Sequence, residues 1–278
     1  MIDLHTHTTA SDGRCTPAEL VARASAAGVD VLSVTDHDTV AAAGDAAAAC
    51  GDAAIEFVPG IEITAASRDT DVHVLGYFID VASAALRRFL VEQRRQRIDR
   101  IREIVARLDR LGIHLDADAI VQPAIDDPSR SAGRPWIARA LIAGGHVATA
   151  NDAFDQWLSR GRPAFVPRRA ATPEEVIGRI HDAGGLASLA HPGLLRRDAW
   201  IPRFVNAGLD ALEAYHTEHD AAATARYTDL ANRYGVLVSG GSDFHADPSH
   251  GAGGPGGVSL PRDAYERLVR LKTASGRS

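Results

Sequence analysis

The chain has 278 residues, enough for one large domain, and 45% hydrophobic against 24% charged residues exclude global disorder. Thirty basic against 36 acidic residues leave a net charge of −6, which excludes a generally basic nucleic-acid-binding protein. Two cysteines, Cys15 and Cys50, cannot build a disulfide framework, and no apolar run approaches the roughly 20 residues that span a bilayer, so a soluble cytoplasmic protein is expected.

Ile2 to Thr6 reads as a strand. Pro17 to Ala27 reads as a helix, with Thr16 as N-cap, Pro17 in the first turn and Gly28 as its stop. A strand at Val31 to Thr35 and an alanine-rich helix at Thr39 to Cys50 follow, then strands at Ile55 to Ile63 and Val72 to Phe78. Ala84 to Leu111 reads as one long helix, because Leu86, Leu90, Ile98, Ile101, Val105 and Leu108 repeat at helical spacing. Further helices are expected at Trp136 to Gly144 and Asn151 to Ser159. Alternation then resumes: helix to Asp182 from Thr172, strand Leu186 to Ala190, helix Ile201 to Ala207, strand Ala211 to Ala214, helix Ala221 to Tyr234, strand Val236 to Ser239, helix Arg262 to Lys272. Strand–helix alternation argues for a parallel sheet, open or closed. The stretch 80–170 lacks it and is expected to be an inserted helical subdomain, dividing the barrel into 1–79 and 171–278. That stretch holds 16 arginines against 11 acidic residues, a net of +5, leaving −11 for the remainder. The arginines between 87 and 110 read as a solvated face braced by pairs such as Arg88–Glu92 and Glu103–Arg107. Arg134 and Arg162, in Gly/Pro-flanked loops, stand apart.

Several segments end apolar runs with His, Asp or Glu. His5 and His7 have strand i, i+2 spacing and point the same way, with Asp12 in a following turn. His37 lies in Thr35-Asp36-His37-Asp38, where Asp36 and Asp38 are candidates either to orient it or to cap a helix. Glu62 sits inside an apolar strand, where an unpaired carboxylate is expensive and needs a cation or a proton. His73 alone would pass as a core histidine. His191 precedes a Pro-Gly turn, and Asp243 and His245 follow Ser239-Gly240-Gly241-Ser242, whose glycines permit close backbone approach. Nine such side chains converge if the strand C-termini share one face, as in a parallel barrel. Nitrogen and carboxylate donors without thiolates suit Zn²⁺, Mn²⁺ or Fe²⁺.

The runs D-L-H-T-H-T with S-D-G, T-D-H-D, G-I-E-I-T, H-V-L-G-Y, A-H-P-G and G-S-D-F-H, in this order over residues 3–245, resemble the polymerase and histidinol phosphatase (PHP) family. The resemblance implies an α/β fold: a distorted seven-stranded TIM-like barrel, one βα unit short of the usual eight, carrying the helical insert. It implies two or three divalent ions of Mn, Fe or Zn. His5, His7, Glu62 and Asp243 would hold one, Asp12, His37 and His245 a second, and Glu62 would bridge to a third with His73 and His191. Asp12, His37, Glu62 and His191 would carry the catalysis, in which a metal-activated water attacks phosphorus.

Within the family, the insert resembles that of nucleoside 3′,5′-bisphosphate phosphatases. This implies Arg134 and Arg162 as contacts to a second phosphate. Trp136 reads either as a core tryptophan or as a surface on which a base stacks, and His216 or His219, after a strand, either as exposed loop histidines or as groups near the leaving group. The expected substrate is a small phosphorylated nucleotide or the 5′ end of a short oligoribonucleotide, with no membrane and no stable nucleic-acid complex. A histidinol-phosphate phosphatase, a non-catalytic or polymerase-associated PHP module and an amidohydrolase are the alternatives. His114, His146, His181, His250 and the Gly251–Gly257 loop receive no role.

Overall fold

Largely buried strands set the architecture. A computed structural model describes residues 1–68, 70–127, 130, 132–247 and 253–277. The strands are β1 (Ile2–Asp3), β2 (Val31–Val34), β3 (Glu56–Ser67), β4 (Thr70–Tyr77), β5 (Leu186–Leu189), β6 (Ala211–His216) and β7 (Leu237–Gly241). Every residue of β2 and β5 is buried, as apolar strands covered on both faces must be. The seven strands pair in chain order. Leu4 N–H donates to the Gly240 carbonyl at 3.2 Å and His7 N–H to that of Phe244 at 2.9 Å, bringing β7 back to β1 and nearly closing the barrel.

One strand runs backwards. β4 pairs antiparallel with both β3 and β5, whereas the other pairs are parallel. The expected all-parallel sheet is therefore corrected at β4. Ser67 pairs with Thr70, and a connection that short can only join antiparallel strands. Reversal means that β4 presents its N-terminal half, with His73, to the face where the parallel strands present their C-terminal ends.

Helices lie outside the barrel. α1 (Pro17–Ala26) and α7 (Pro173–Asp182) start with capping boxes, Thr16 with Glu19 and Thr172 with Glu175, each followed by proline in the first turn. α2 (Ala43–Asp52) starts later than Thr39 and has no side-chain cap. α8 (Pro192–Leu195), α9 (Ile201–Asn206), α10 (Ala221–Tyr234) and α11 (Arg262–Ala274) complete this layer.

Between β4 and β5 come α3 (Ala84–Arg110), α4 (Ala117–Asp126), α5 (Arg134–Ala143) and α6 (Ala150–Ala153), the last running into a π-helical turn, Phe154–Leu158. α4 was not expected, because Pro123 interrupts its pattern; Asp116 caps it by accepting from Ala119 N–H at 3.0 Å. Leu86 and Leu90 pack into the barrel core, whereas Ile104 and Leu108 join Val121, Ile137, Leu141 and Leu158 in a second core. α3 thus spans both cores. Truncating Ile104 or Leu108 to alanine should cost about 2–5 kcal/mol, mostly within the second. Among the described residues, no helix is long and apolar enough to cross a membrane.

Candidate metal centre and anion cavity

Six strand ends deliver the cluster. His5 and His7 follow β1, His37 follows β2, Glu62 lies in β3, His73 in β4, His191 follows β5, and Asp243 and His245 follow β7. Glu62 is the hub. Its Oε2 lies 3.4 Å from His5 Nε2, 3.3 Å from His7 Nε2 and 3.0 Å from His37 Nδ1, and its Oε1 lies 2.8 Å from His73 Nδ1 and 3.2 Å from His191 Nε2. Asp243 Oδ1 lies 3.2 Å from His5 Nε2 and 3.1 Å from His7 Nε2. Asp12 Oδ1 lies 3.3 Å from His245 Nε2, and its Oδ2 lies 3.7 Å from His37 Nε2.

Among the described residues, four groups of donor atoms each fit within 4.8 Å: His5, His7, Glu62 and Asp243; His7, Asp12, His37 and His245; His37, Glu62 and His73; and His5, Glu213 and His216. Among the described residues, His5 Nε2, both His7 ring nitrogens, His37 Nδ1 and His73 Nδ1 are buried without a hydrogen-bond partner. Buried polar atoms without partners are costly, and several aimed at shared carboxylates match a site for divalent cations. The set of imidazoles and carboxylates is able to bind metal.

Electrostatics inside the cluster is strongly coupled. Burial would raise the Glu62 carboxyl, yet the surrounding His37, His73 and His5 hold it well below the usual carboxylate range. Burial likewise opposes charge on Asp12, but His37 and His245 keep it low. Burial pushes His37 well below the ordinary imidazole value. For His245, burial is overcome by Asp12 and Asp243, which push it up to about 9.

A layer of supporting groups fixes the cluster. Asp36 accepts from Thr8 N–H at 2.7 Å, Thr8 Oγ1 at 2.6 Å and Ser11 Oγ at 2.6 Å. It therefore holds the turn that carries Asp12, not His37 and not a helix cap. Asp38 accepts from Thr64 N–H at 2.9 Å and from Arg97, so it caps no helix either. Asp3 receives Ser242 N–H at 2.9 Å and Gly256 N–H at 2.7 Å, tying the far end of the glycine-rich loop to the barrel. His250 and residues 251–252 of that loop lie outside the described residues.

His216 and His219, expected near the leaving group, each have both ring nitrogens facing protein groups. His216 is buried in β6, where its Nδ1 accepts from Glu218 N–H at 3.0 Å and its Nε2 faces Asp243 Oδ2 at 3.3 Å. His219 Nδ1 donates to the Ala214 carbonyl at 3.0 Å and its Nε2 accepts from Gly193 N–H at 3.1 Å, so the ring ties the segment after His191 to β6. Glu213 was missed. It is fully buried, and it lies 2.8 Å from His5 Nδ1 and accepts from His191 N–H at 2.7 Å. A lone glutamate within Ala211-Leu212-Glu213-Ala214 carries the same signal as Glu62 in Gly60-Ile61-Glu62-Ile63.

The arginines of α3 are not merely a solvated face. Arg107 pairs with Glu103 at 3.1 Å on the surface, but Arg97 and Arg100 are buried. Arg97 bonds Asp38, Thr64 Oγ1 at 2.8 Å and the Ala132 carbonyl at 3.1 Å. Asp71 in β4 collects Arg134 at 3.1 Å, Arg168 at 3.3 Å and Arg100 at 3.8 Å. Burial, with a smaller contribution from the nearby Arg97, lowers the Arg168 guanidinium to about 10. A cavity of about 230 Å³ is lined by Asp12, His37 and His73 from the cluster and by Arg97, Arg134 and Arg168. Trp136 and Phe154 line it too. Arg162 is exposed and does not line this cavity; Arg168 stands where it was expected.

The PHP domain model matches residues 3–158, more than half of the chain. The chain belongs to the PHP domain family. Among PHP relatives, the 5′-3′ exoribonuclease Rnm of Salmonella typhimurium is 36% identical over 250 residues, covering 87% of this chain and 84% of that protein. The 3′,5′-nucleoside bisphosphate phosphatase of Chromobacterium violaceum is 35% identical over 252 residues, covering 88% of this chain and 87% of that protein. A crystal structure from Bifidobacterium adolescentis, of a protein assigned as a metal-dependent phosphoesterase, superposes with a TM-score of 0.85 at 30% identity. It covers 97% of this chain and 95% of that one, so the PHP barrel and the helices between β4 and β5 both lie within the similarity.

Proposed function

We propose that this chain is a metal-dependent phosphoesterase that hydrolyses a phosphate ester of a small nucleotide bearing a second phosphate, or of the 5′ end of a short RNA. One observation carries the reading: Asp12, His37 and His73 of the cluster and the arginines Arg97, Arg134 and Arg168 line a single cavity. The names of the relatives, a bisphosphate phosphatase and an exoribonuclease, support the same class of substrate.

In this reading, His5, His7, Glu62 and Asp243 hold one divalent cation and Asp12, His37 and His245 a second. Glu62, His73 and His191 hold a third where one binds. Manganese, iron and zinc all accept this donor set. Bound cations supply a water acidified toward neutral pH and Lewis-acid contacts to phosphoryl oxygens.

The protein supplies positioning. Glu62 shares its two oxygens among five imidazoles and keeps them convergent. Asp36 fixes the turn of Asp12, and His245 donates from Nδ1 to the Asp243 carbonyl at 2.8 Å, turning Nε2 toward Asp12. Arg97, Arg134 and Arg168 line the cavity, and among the described residues their carboxylate partners are Asp38 and Asp71, an excess of positive charge that suits a non-reacting phosphate. Trp136 and Phe154 offer apolar surface to a base. Residues 80–170 thus act as the substrate-binding part of the chain.

Phosphate release with Mn²⁺ from a panel of adenosine 3′,5′-bisphosphate, a 5′-phosphorylated dinucleotide and histidinol phosphate tests this. Preference for either of the first two supports the reading. Preference for histidinol phosphate, or no phosphate release from any of them, contradicts it.

A further inference from the structure

β6 carries no residue of the proposed cation set, yet two of its side chains reach into that set from behind. The strand is irregular at that point. Its pairing with β7 shifts register between Glu213 and Tyr215, where a bulge interrupts the alternation of faces. In a regular strand, residues three apart face opposite ways. Here Glu213 and His216 are both buried toward the cluster. Gly240 opposite the bulge makes this possible, since a Cβ there would sit 2.4 Å from the Cβ of Tyr215.

The two side chains do complementary jobs. Glu213 Oε1 lies 2.8 Å from His5 Nδ1 and Oε2 accepts from His191 N–H at 2.7 Å. A carboxylate can only accept, so His5 carries its proton on Nδ1 and turns its Nε2 lone pair toward Glu62 and Asp243. The second bond holds His191 in a backbone conformation with φ of +26°, which non-glycine residues rarely adopt. His216 is oriented by Glu218 N–H on its Nδ1, so Nε2 is the protonated nitrogen, and it donates to Asp243 Oδ2 at 3.3 Å. That leaves Asp243 Oδ1 to face His5 and His7. The donor atoms of His5, Glu213 and His216 also lie close enough to suggest a further metal group. The bonds just described commit these atoms to supporting their neighbours instead.

We propose that Glu213 and His216 are positioning residues that set cation affinity at the His5–His7–Glu62–Asp243 position. Glu213 also acts, through His191, on the Glu62–His73–His191 position. The Asp12–His37–His245 position makes none of these contacts with β6 and is independent of the pair. The inference rests on the proposed metal centre. Partners of this kind typically change metal affinity by about 10–100-fold.

Glu213→Gln is the sharpest variant. A glutamine has one accepting and one donating end, so it cannot accept from both His5 Nδ1 and His191 N–H, while its shape is unchanged. The full chain, stripped of metal by chelator, is titrated with Mn²⁺, and free Mn²⁺ is followed by its electron paramagnetic resonance. In Glu213→Gln and His216→Ala, at least one equivalent should weaken about 10–100-fold while another keeps wild-type affinity. Adding Asp12→Ala to Glu213→Gln should abolish the retained class. Thermal melts of the metal-free variants establish that each folds, and His216→Ala serves if Glu213→Gln does not. Unchanged binding in the folded variants, or equal weakening of every equivalent, overturns the inference. A wild-type chain that takes up no Mn²⁺ instead overturns the metal centre itself.

Discussion

Arg134, the first residue of α5, meets Asp71 of β4 at 3.1 Å, across the seam between the helical segment and the barrel. Asp71 lies two residues before His73, so the strand that brings a cluster histidine also brings the carboxylate that gathers the arginines. Because β4 runs antiparallel, both arrive near the start of that strand. The arginines are thereby held beside the cluster with charge left over for an anion.

Arg134→Ala and Arg168→Ala should each raise KM for a 3′,5′-bisphosphate substrate by about one to two decades, the loss of a charge-assisted hydrogen bond of about 1.5–3 kcal/mol. Turnover of an aryl monophosphate should change much less, because that substrate lacks the second phosphate. Arg162→Ala should leave both substrates unaffected, since Arg162 is exposed and away from the cavity. Steady-state kinetics on the two substrates checks this. Equal losses on both would assign Arg134 and Arg168 to structure alone.

Asp71 makes a prediction about acid. Burial would raise its carboxyl, but Arg168, Arg134 and Arg100 hold it far below the usual range. A depressed folded value contributes stability that is present above the unfolded value of about 3.9 and lost as pH falls toward the folded one. In metal-stripped protein, the stability gap between wild type and Asp71→Asn should therefore narrow as pH drops below about 4. Urea unfolding at several pH values measures the gap. A gap independent of pH would mean that Asp71 acts through packing and not through its charge.

His245 predicts the opposite slope. With its folded value raised to about 9, it contributes stability below about 6.5 that is lost as pH rises through 9, when no cation is bound. Cation binding requires a deprotonated imidazole, so Mn²⁺ uptake near neutral pH should release protons and tighten as pH rises. Calorimetry in buffers of different ionisation enthalpy reads the proton count directly. Zero protons released at pH 7 would contradict the argument.

Two glycines should respond in opposite directions. A Cβ on Gly241 would sit 2.3 Å from His5 N and 2.5 Å from His5 Cβ, so Gly241→Ala must push β7 away from His5. It should cost about 1–3 kcal/mol and reduce metal content. Gly44 lies in α2 with open space around it among the described residues, and Gly44→Ala should stabilise by about 0.5–1 kcal/mol. Chemical denaturation of both variants distinguishes a glycine kept for close approach from one that is merely tolerated.

Much of this site was legible because polar residues that interrupt apolar strands need a reason to be there. His5 and His7 at i, i+2, Glu62 among isoleucines and His191 before a Pro-Gly turn all carried that signal. The direction of β4 did not show, because Arg68-Asp69 contains neither the glycine nor the proline that marks many tight turns. Glu213 carries the signal that Glu62 carries, a lone carboxylate in an apolar run, beside two histidines of the same segment, His216 and His219. Buried Arg97 and Arg100 were hidden by their surroundings: on a helix this rich in arginine, side-chain type does not tell a seam from a surface. The late start of α2 reflects Asp38, whose bonds to Thr64 and Arg97 leave it unavailable as a cap.

The central claim is that a Glu62-centred cation cluster hydrolyses the phosphate ester. Its most direct test is phosphate release from adenosine 3′,5′-bisphosphate by chelator-stripped protein, before and after Mn²⁺ is restored, for wild type and Glu62→Gln side by side. The account predicts no release from stripped wild type, recovery with Mn²⁺, and loss in Glu62→Gln larger than in any single arginine variant. Release by the stripped protein, or near-normal turnover of Glu62→Gln with full metal content, would contradict it.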